Sequence, residues 1–247
     1  MFALRPGAAG AALASVMTRL SLPRVVVIVS PHWETDVPTV GTATRFDTIH
    51  DFGGFDPRLY DLIYPATGCP EAADQVVKAL QAADLPVAVD ANRGLDHGAW
   101  VPLRHMLPDA HIPVVPLSVQ HHGGPQHAWR VGQALSALTR QGFLIIASGN
   151  ITHNLHDWRT AMALDQATPA YVLEFADWVN ARLTGGDLNA LIDYRRTQAA
   201  GLRAHPRDEH LLPLFTAIGA AGTDARAQAF YRGIDDHVIA MDGYEFH

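Results

Sequence analysis

Val25-Val26-Val27-Ile28-Val29-Ser30 is a short, continuously apolar and β-branched run, and Pro31-His32-Trp33 follows it directly. Strands that are buried on both faces have this composition, whereas strands with one face in water alternate between apolar and polar residues. Residues 143–148 (FLIIAS) form a second such run, and residues 112–119 (IPVVPLSV) form a third. We therefore predict a sheet that is covered on both faces. The prolines of the third run indicate irregular pairing near an edge.

Helical segments alternate with these strands. The predicted helices span residues 8–20, 71–83, 125–140, 168–183 and 208–221, and a further strand spans residues 85–89. This alternation is typical of an α/β protein. We predict one layered domain, residues 1–247, with a central, mostly parallel or mixed sheet flanked by helices. The long segment between residues 35 and 70 is rich in Gly, Asp and aromatic residues, a composition that favours a functional loop.

The composition excludes several classes of protein. The 247 residues carry 18 Lys+Arg and 25 Asp+Glu, a net charge of −7, without a basic cluster that would bind nucleic acid. No apolar run approaches the ~18 residues that a membrane span needs. The single cysteine, Cys69, excludes an internal disulfide and a cysteine zinc cage. The first residues do not show the basic segment and apolar core that are typical of a signal peptide. We expect a cytoplasmic protein that is a monomer or a homodimer.

Fourteen residues are histidine, the commonest metal ligand and the usual proton carrier near neutral pH. His32 follows the first buried run, and His153 follows the second through Gly149-Asn150-Ile151-Thr152. Ligands bind beyond the carboxyl ends of strands in open α/β sheets. The two histidines are therefore predicted to form a metal or acid–base pair, and the alternative is two unrelated loop histidines.

Two further histidines lie in glycine-rich segments. His97 precedes Gly98, and we interpret it as a proton donor or oxyanion stabiliser, with a simple turn histidine as the alternative. His50 and Phe52 belong to IHDFGGF (residues 49–55), which suits the wall of a pocket for a flat ring. A loop that is merely anchored by buried phenylalanines explains the same pattern equally well.

Late in the chain, His210 lies in the predicted first turn of the last helix, where a ligand would be held rigidly, and Glu209 is the competing ligand. Phosphate-binding glycine loops, H-E-x-x-H and G-x-S-x-G are all missing from the sequence. A site that is rich in histidine and poor in cysteine suits Fe(II), Zn or Mn.

Seven segments together resemble the extradiol ring-opening dioxygenases of the DOPA-dioxygenase type, which are related to the catalytic subunit of protocatechuate 4,5-dioxygenase. They are SPHWET (30–35), IHDFGGF (49–55), LDHGAWVPL (95–103), IPVVPLSV (112–119), ASGNITHNL (147–155), EHLLPLF (209–215) and MDGYEF (241–246). The resemblance covers nearly the whole chain. It implies that Fe(II) is needed for activity, that Zn can occupy the site, and that a catechol and O2 react to give a semialdehyde.

The resemblance also implies roles for individual residues. His32 and His210 correspond to metal ligands of the family, and a histidine at position 210 is typical of the DOPA branch. His153 corresponds to the acid–base histidine, which also contacts the metal when substrate is absent. His97 corresponds to a second pocket histidine, and His50 belongs to the pocket-lining motif with Phe52.

One family feature is missing. Family members begin with a short apolar strand that ends in H-G-S-P, whose histidine is the first metal ligand, and Met1 falls where that motif has just finished. We expect the chain to lack this strand, which would border residues 25–30, and therefore to bind metal weakly. Two other functions remain open: a non-enzymatic metal-binding or interaction protein of this fold, and a zinc hydrolase with Glu34 as its base.

Overall fold

A computed structural model describes residues 2–247 of the chain. Its strands are β1 (Val25–Glu34), β2 (Thr39–Gly41), β3 (Ala88–Asp90), β4 (Val114–Val119), β5 (Phe143–Ala147), β6 (Ala227–Tyr231), β7 (Ile234–Asp235), β8 (Ile239–Ala240) and β9 (Gly243–Phe246). Its helices are α1 (Gly7–Arg19), α2 (Pro70–Ala82), α3 (His97–Met106), α4 (Gly124–Thr139), α5 (Leu155–Leu164), α6 (Ala170–Gly185), α7 (Leu188–Ile192), α8 (Tyr194–Thr197), α9 (Ala199–Ala204) and α10 (Leu212–Ala221).

The first five strands form one sheet in the order β3-β2-β4-β1-β5. Strand β1 runs parallel to β4 on one side and to β5 on the other, and β2 runs parallel to β3. The exception is β2 with β4, which meet antiparallel at the single pair Val40 and Leu117. Helices cover both faces, so the prediction of a single α/β domain with a mostly parallel, mixed sheet is confirmed. Residues 25–29 of β1 are almost completely buried, as their composition predicts.

The position predicted for β4 is wrong: this proline-containing strand is central, between β2 and β1. Pro116 pairs with Ile28 of β1, and β2 contacts β4 only at the next residue, Leu117. A proline lacks the backbone N–H that a second ladder would require. The strand tolerates Pro116 because the ladder to β2 is reduced to one pair.

Strand β5 also differs from expectation, because it is an edge strand rather than a fully buried one. Phe143 is buried, but residues 144–147 are half-buried. Their apolar character is explained by the cleft that they line together with Leu13, Val16 and Phe230. The expectation that an absent strand would border residues 25–30 is wrong, since β1 has a partner on each side and the edge strands of the sheet are β3 and β5.

The helices agree with prediction less closely near the site. The last long helix, α10, begins at Leu212 rather than at residue 208, because Pro213 in its first turn sets the start. His210 therefore lies in the turn before the helix. Helix α3 was not predicted; its first residue is His97, and Pro102 lies inside it. Within residues 2–247, none of the helices combines the length and apolar character of a membrane span.

Candidate active site

Four of the predicted site histidines line one cleft at the carboxyl ends of β1 and β5. The cleft has a volume of about 1230 Å³, and the four are His32, His97, His153 and His210. They come from four separate segments of the chain: a strand, a helix start, a loop and a turn. This is the end of the sheet at which ligands bind in open α/β proteins.

His32 lies in an irregular part of β1. The five steps from Val29 to Glu34 on β1 match only the two steps from Leu117 to Val119 on β4, so the strand bulges. Bulges commonly redirect side chains beside functional sites. The bulge also needs Gly98, because a Cβ at that position would lie 2.9 Å from Cδ2 of His32.

His97 begins helix α3. Asp96, which is buried, caps the helix through Oδ1, which accepts from the backbone N–H of Ala99 at 3.2 Å. Asp96 also accepts a hydrogen bond from the Ser30 hydroxyl. These contacts tie the start of α3 to β1, and the rings of His97 and His32 consequently lie 4.0 Å apart between centroids.

Asp51 contacts both of these histidines. Its Oδ1 accepts from the backbone N–H of His97 at 2.8 Å and from Nδ1 of the same residue at 2.9 Å. Its Oδ2 lies 3.4 Å from Nδ1 of His32. Burial acts to raise the pKa of Asp51, but the hydrogen bonds from His97 outweigh it and lower the pKa to about 2. Asp51 is therefore ionised at neutral pH.

His210 is held by the loop that follows β5. Its Nδ1 lies 3.1 Å from Oδ1 of Asn150, which can only accept, so the ring donates from Nδ1 and leaves Nε2 free. The backbone N–H of Asn150 donates in turn to the carbonyl oxygen of His210 at 3.0 Å. Gly149 permits this approach, because a Cβ there would overlap the same carbonyl oxygen.

The four rings differ in their mutual orientation. His153 is stacked on His210, with centroids 3.4 Å apart and planes at 12°. His32 and His210 are nearly perpendicular, with centroids 5.0 Å apart and planes at 87°. A metal ion lies close to the plane of each imidazole that binds it. Perpendicular rings can share such an ion, whereas parallel stacked rings cannot both hold it in their planes.

Burial dominates the electrostatics of the cleft. It lowers the pKa of His153 to about 4, with the nearby His32 and His97 acting in the same direction. Burial and the neighbouring histidines also lower the pKa of His210 well below 6.5. The pKa of His32 is lowered by burial and by His97, and Asp51 opposes this shift. Neutral imidazoles, which can accept a metal or a proton, are thus favoured at neutral pH.

The available donors fit a divalent metal ion. His153, Glu209 and His210 each offer a donor atom, and these atoms all lie within 4.8 Å of one another. Oε2 of Glu209 is buried without a hydrogen bond, although Nε of Arg207 lies 3.3 Å away. His32, Asp51 and His97 form a second group with the same spacing. Imidazole and carboxylate together suit Fe(II), Mn and Zn.

His50 and Phe52 lie at different depths. Phe52 lines the cleft and packs edge-on against His97, with centroids 5.4 Å apart. His50 lies behind it, with Nε2 2.9 Å from the carbonyl oxygen of Leu62 and its ring against Trp100. The structure thus brings Phe52 to the histidine group and holds His50 in the layer behind.

Sequence reasoning missed the parts played by Asp51 and Asn150. Both residues lie within the motifs at 49–55 and 147–155, but neither has a spacing that distinguishes it as a site residue. Glu34, the base required by the zinc hydrolase alternative, is paired with Arg207 at 2.7 Å. That ion pair satisfies the carboxylate and gives a hydrolytic role no support.

Comparison with known proteins agrees with the geometry. The family described as the catalytic LigB subunit of aromatic ring-opening dioxygenase matches residues 12–240. A Beta vulgaris protein named 4,5-DOPA dioxygenase extradiol is 40% identical over 225 residues, which are 91% of this chain and 83% of the relative. An Escherichia coli K12 protein of the same name is 38% identical over 81% of this chain and 74% of its own length.

A solved structure extends the comparison to the fold. The crystal structure of an uncharacterized Escherichia coli K12 protein matches with a TM-score of 0.80 and 30% identity, covering 95% of this chain and 91% of the other. The family match spans the segments that carry the four histidines, and the relatives are named as enzymes. The chain belongs to the family of the catalytic LigB subunit of aromatic ring-opening dioxygenases.

Proposed function

We propose that the protein is an Fe(II)-dependent extradiol dioxygenase that opens a catechol-type ring, DOPA or a related compound, with O2 to give a semialdehyde. The observation that carries this proposal is the meeting of His32, His97, His153 and His210 in one cleft. The relatives are named 4,5-DOPA dioxygenase extradiol, and this name supports both the ring-cleaving class and a catechol as substrate.

His32 and His210 would hold the ion through their Nε2 atoms, because the perpendicular rings are compatible with one shared ion and Nδ1 of each faces an oxygen acceptor. Glu209 offers a nearby carboxylate, so the donors are of the kind used by non-haem Fe(II) enzymes. When bound, the ion supplies Lewis acidity that lowers the pKa of catechol hydroxyl groups, together with redox chemistry toward O2.

His153 is proposed as the general base. Burial keeps its imidazole neutral at neutral pH, and its face rests on His210 rather than pointing an in-plane nitrogen at the same ion. A neutral imidazole in this place accepts a proton from a substrate hydroxyl group and can later return it to the ring-opened product. The stacking on His210 does not support the further expectation that His153 contacts the same ion.

His97 and Phe52 are proposed to contact the substrate. The Nδ1 atom of His97 is engaged by Asp51, which leaves Nε2 to hydrogen-bond a substrate oxygen and stabilise charge that develops there. Phe52 supplies an apolar wall for an aromatic ring. His50 would support that wall from behind.

The test is anaerobic reconstitution with Fe(II), followed by O2 uptake and absorption measurements with a panel of catechols. We expect O2 consumption that depends on a catechol, equals it in stoichiometry, and yields a ring-opened semialdehyde. Replacing Fe(II) with Zn should abolish it. His111→Gln, at an exposed histidine away from the cleft, is the matched control and should keep full activity. No uptake with any catechol by fully loaded protein would refute the proposal.

A further inference from the structure

The carboxylate of Asp51 lies between the two histidines His32 and His97. Oδ1 takes both the backbone N–H and the Nδ1–H of His97, at 2.8 and 2.9 Å, and Oδ2 faces Nδ1 of His32 at 3.4 Å. The side chain is only 23% exposed, although it belongs to a long loop. One carboxylate therefore contacts two rings that come from a strand and from a helix.

The loop is fixed where it carries Asp51. The backbone N–H of Ile49 donates to the carbonyl oxygen of Leu95 at 2.7 Å, and Nε1 of Trp100 donates to the carbonyl oxygen of Ile49 at 3.0 Å. Trp100 itself is completely buried. The hydrogen bonds of Ile49, two residues before Asp51, and the buried side chain of Trp100 therefore fix the position of Asp51 relative to His97.

An ionised carboxylate accepts hydrogen bonds and donates none. A histidine whose Nδ1 faces it therefore carries its hydrogen on Nδ1, and Nε2 keeps a free lone pair. In metal sites, carboxylates that orient histidine rings in this way commonly change affinity or activity by ~10–100-fold when they are lost. Asp51 therefore favours the tautomer with hydrogen on Nδ1 in both His32 and His97.

We propose that Asp51 is a positioning residue that fixes the tautomer and orientation of His32 and His97 together, so that Nε2 of His32 is presented to the metal and Nε2 of His97 to the substrate. The inference rests on the function proposed above for what these two atoms do. The contacts that carry it, however, all join residues of the chain itself.

A different arrangement would use the same three residues as direct metal ligands, since their donor atoms lie within 4.8 Å of one another. The hydrogen bonds argue against it, because Oδ1 already accepts twice from His97. The two arrangements differ in a measurable way. If Asp51 only positions the two rings, replacing His97 leaves the metal affinity unchanged. If all three residues bind the metal directly, replacing His97 weakens it.

Asp51→Asn separates the two contacts. The amide oxygen can still accept from His97, which places the amide NH2 against Nδ1 of His32. A donor at that position favours a lone pair on Nδ1, which moves the hydrogen of His32 to Nε2, the atom needed for the metal. We therefore expect His97 to keep its tautomer in this variant while His32 changes its own.

The tautomers are read from two-bond proton–nitrogen spectra of metal-free, nitrogen-labelled protein, with His32→Gln and His97→Gln used for assignment. Zn affinity is measured by competition with a chromophoric chelator. We expect Asp51→Asn to weaken Zn binding by ~10–100-fold, and His97→Gln to leave it unchanged. Asp56→Asn is the matched control, because Asp56 lies in the same loop and pairs with exposed Arg58. It should change neither readout.

Two results would overturn the inference: a His32 tautomer that is the same in wild type and in Asp51→Asn, or equal losses of Zn affinity in Asp51→Asn and His97→Gln. Both measurements are independent of turnover. If no catechol is oxidised, the proposed function fails, while the tautomers and the Zn affinities still decide the role of Asp51.

Discussion

The imidazole of His153 lies flat on that of His210, with centroids 3.4 Å apart and planes at 12°. His32, in contrast, stands at 87° to His210. His32 and His210 could therefore direct their ring nitrogens at one ion, whereas the stacked rings of His153 and His210 could not both do so. This geometry favours a division of work, in which His32 and His210 bind metal and His153 transfers protons.

Single substitutions test this division. We expect His210→Gln to lose Zn affinity by more than the ~10–100-fold that is typical of a lost supporting contact. His153→Gln should keep Zn affinity within a few-fold of wild type and lower kcat by ~100- to 10,000-fold, the usual contribution of a general acid–base group. Chelator competition and steady-state O2 uptake measure the two quantities. Equal loss of metal in both variants would show that His153 is a ligand.

Gly149 gives a second prediction, because a Cβ at this position would overlap the carbonyl oxygen of His210. Gly149→Ala should displace the turn that carries His210, weaken Zn binding by at least ~10-fold, and lower the free energy of unfolding by ~1–3 kcal/mol. Gly185→Ala is the control, since open space surrounds that position. Urea unfolding and chelator competition give the values, and wild-type Zn affinity in Gly149→Ala would contradict the account.

Phe52 gives a third prediction, for substrate binding. Phe52→Ala removes the aromatic wall of the cleft, and we expect KM for a catechol to rise by ~10-fold, which corresponds to ~1.4 kcal/mol. The kcat should change less, because the hydrogen bonds of His97 to Asp51 do not involve Phe52. A loss of kcat at constant KM would assign Phe52 to the chemical step instead.

A fourth prediction concerns stability against acid. Burial lowers the pKa of His205 from 6.5 to about 3, although a hydrogen bond to the carbonyl oxygen of Ile151 opposes the shift. Between these values the unfolded chain binds a proton that the folded chain does not, so the free energy of unfolding falls as the pH falls. From about pH 7.5 to about pH 5.5, this residue alone should remove ~1.4 kcal/mol.

His205→Gln keeps a side chain that can hydrogen-bond the Ile151 carbonyl oxygen but does not titrate. Urea unfolding at the two pH values should therefore show a smaller loss of stability in this variant than in wild type, by ~1.4 kcal/mol. Exposed His111→Gln should keep the wild-type difference. A His205→Gln protein with the full wild-type loss would show that other groups cause the acid sensitivity.

The sequence predicted the sheet and the meeting of the histidines because both depend on local composition. The run at 25–29 is apolar throughout because it is buried on both faces. His32 lies near the end of β1 and His153 follows β5, and these two strands are parallel neighbours. Strand β5 misled the prediction, since an apolar run that lines a cleft has the same composition as one in the core. Composition alone does not distinguish these two environments.

The details of the site depend on contacts between distant segments. Asp51 and His97 are 46 positions apart, and Asn150 and His210 are 60 apart. No periodicity links them. Helix α3 was missed because Gly98 and Pro102 are poor helix formers, and the cap by Asp96 together with burial of Trp100 outweighs their cost. Contacts between distant segments therefore determine helix α3 and the geometry of the site, which local sequence preferences do not predict.

The most direct measurement of the central claim is oxygen labelling during turnover. Fe(II)-loaded protein is mixed with DOPA, or with the best catechol of the panel, under isotopically heavy O2, and the product is analysed by mass spectrometry. We expect a ring-opened product with one heavy oxygen in its new carboxylate and, when the aldehyde is reduced before its oxygen exchanges with water, a second one from the same O2 molecule. Wild type should form it and His153→Gln should not on the same timescale. A carboxylate without label, or an intact ring, would contradict assignment of this cleft to extradiol cleavage.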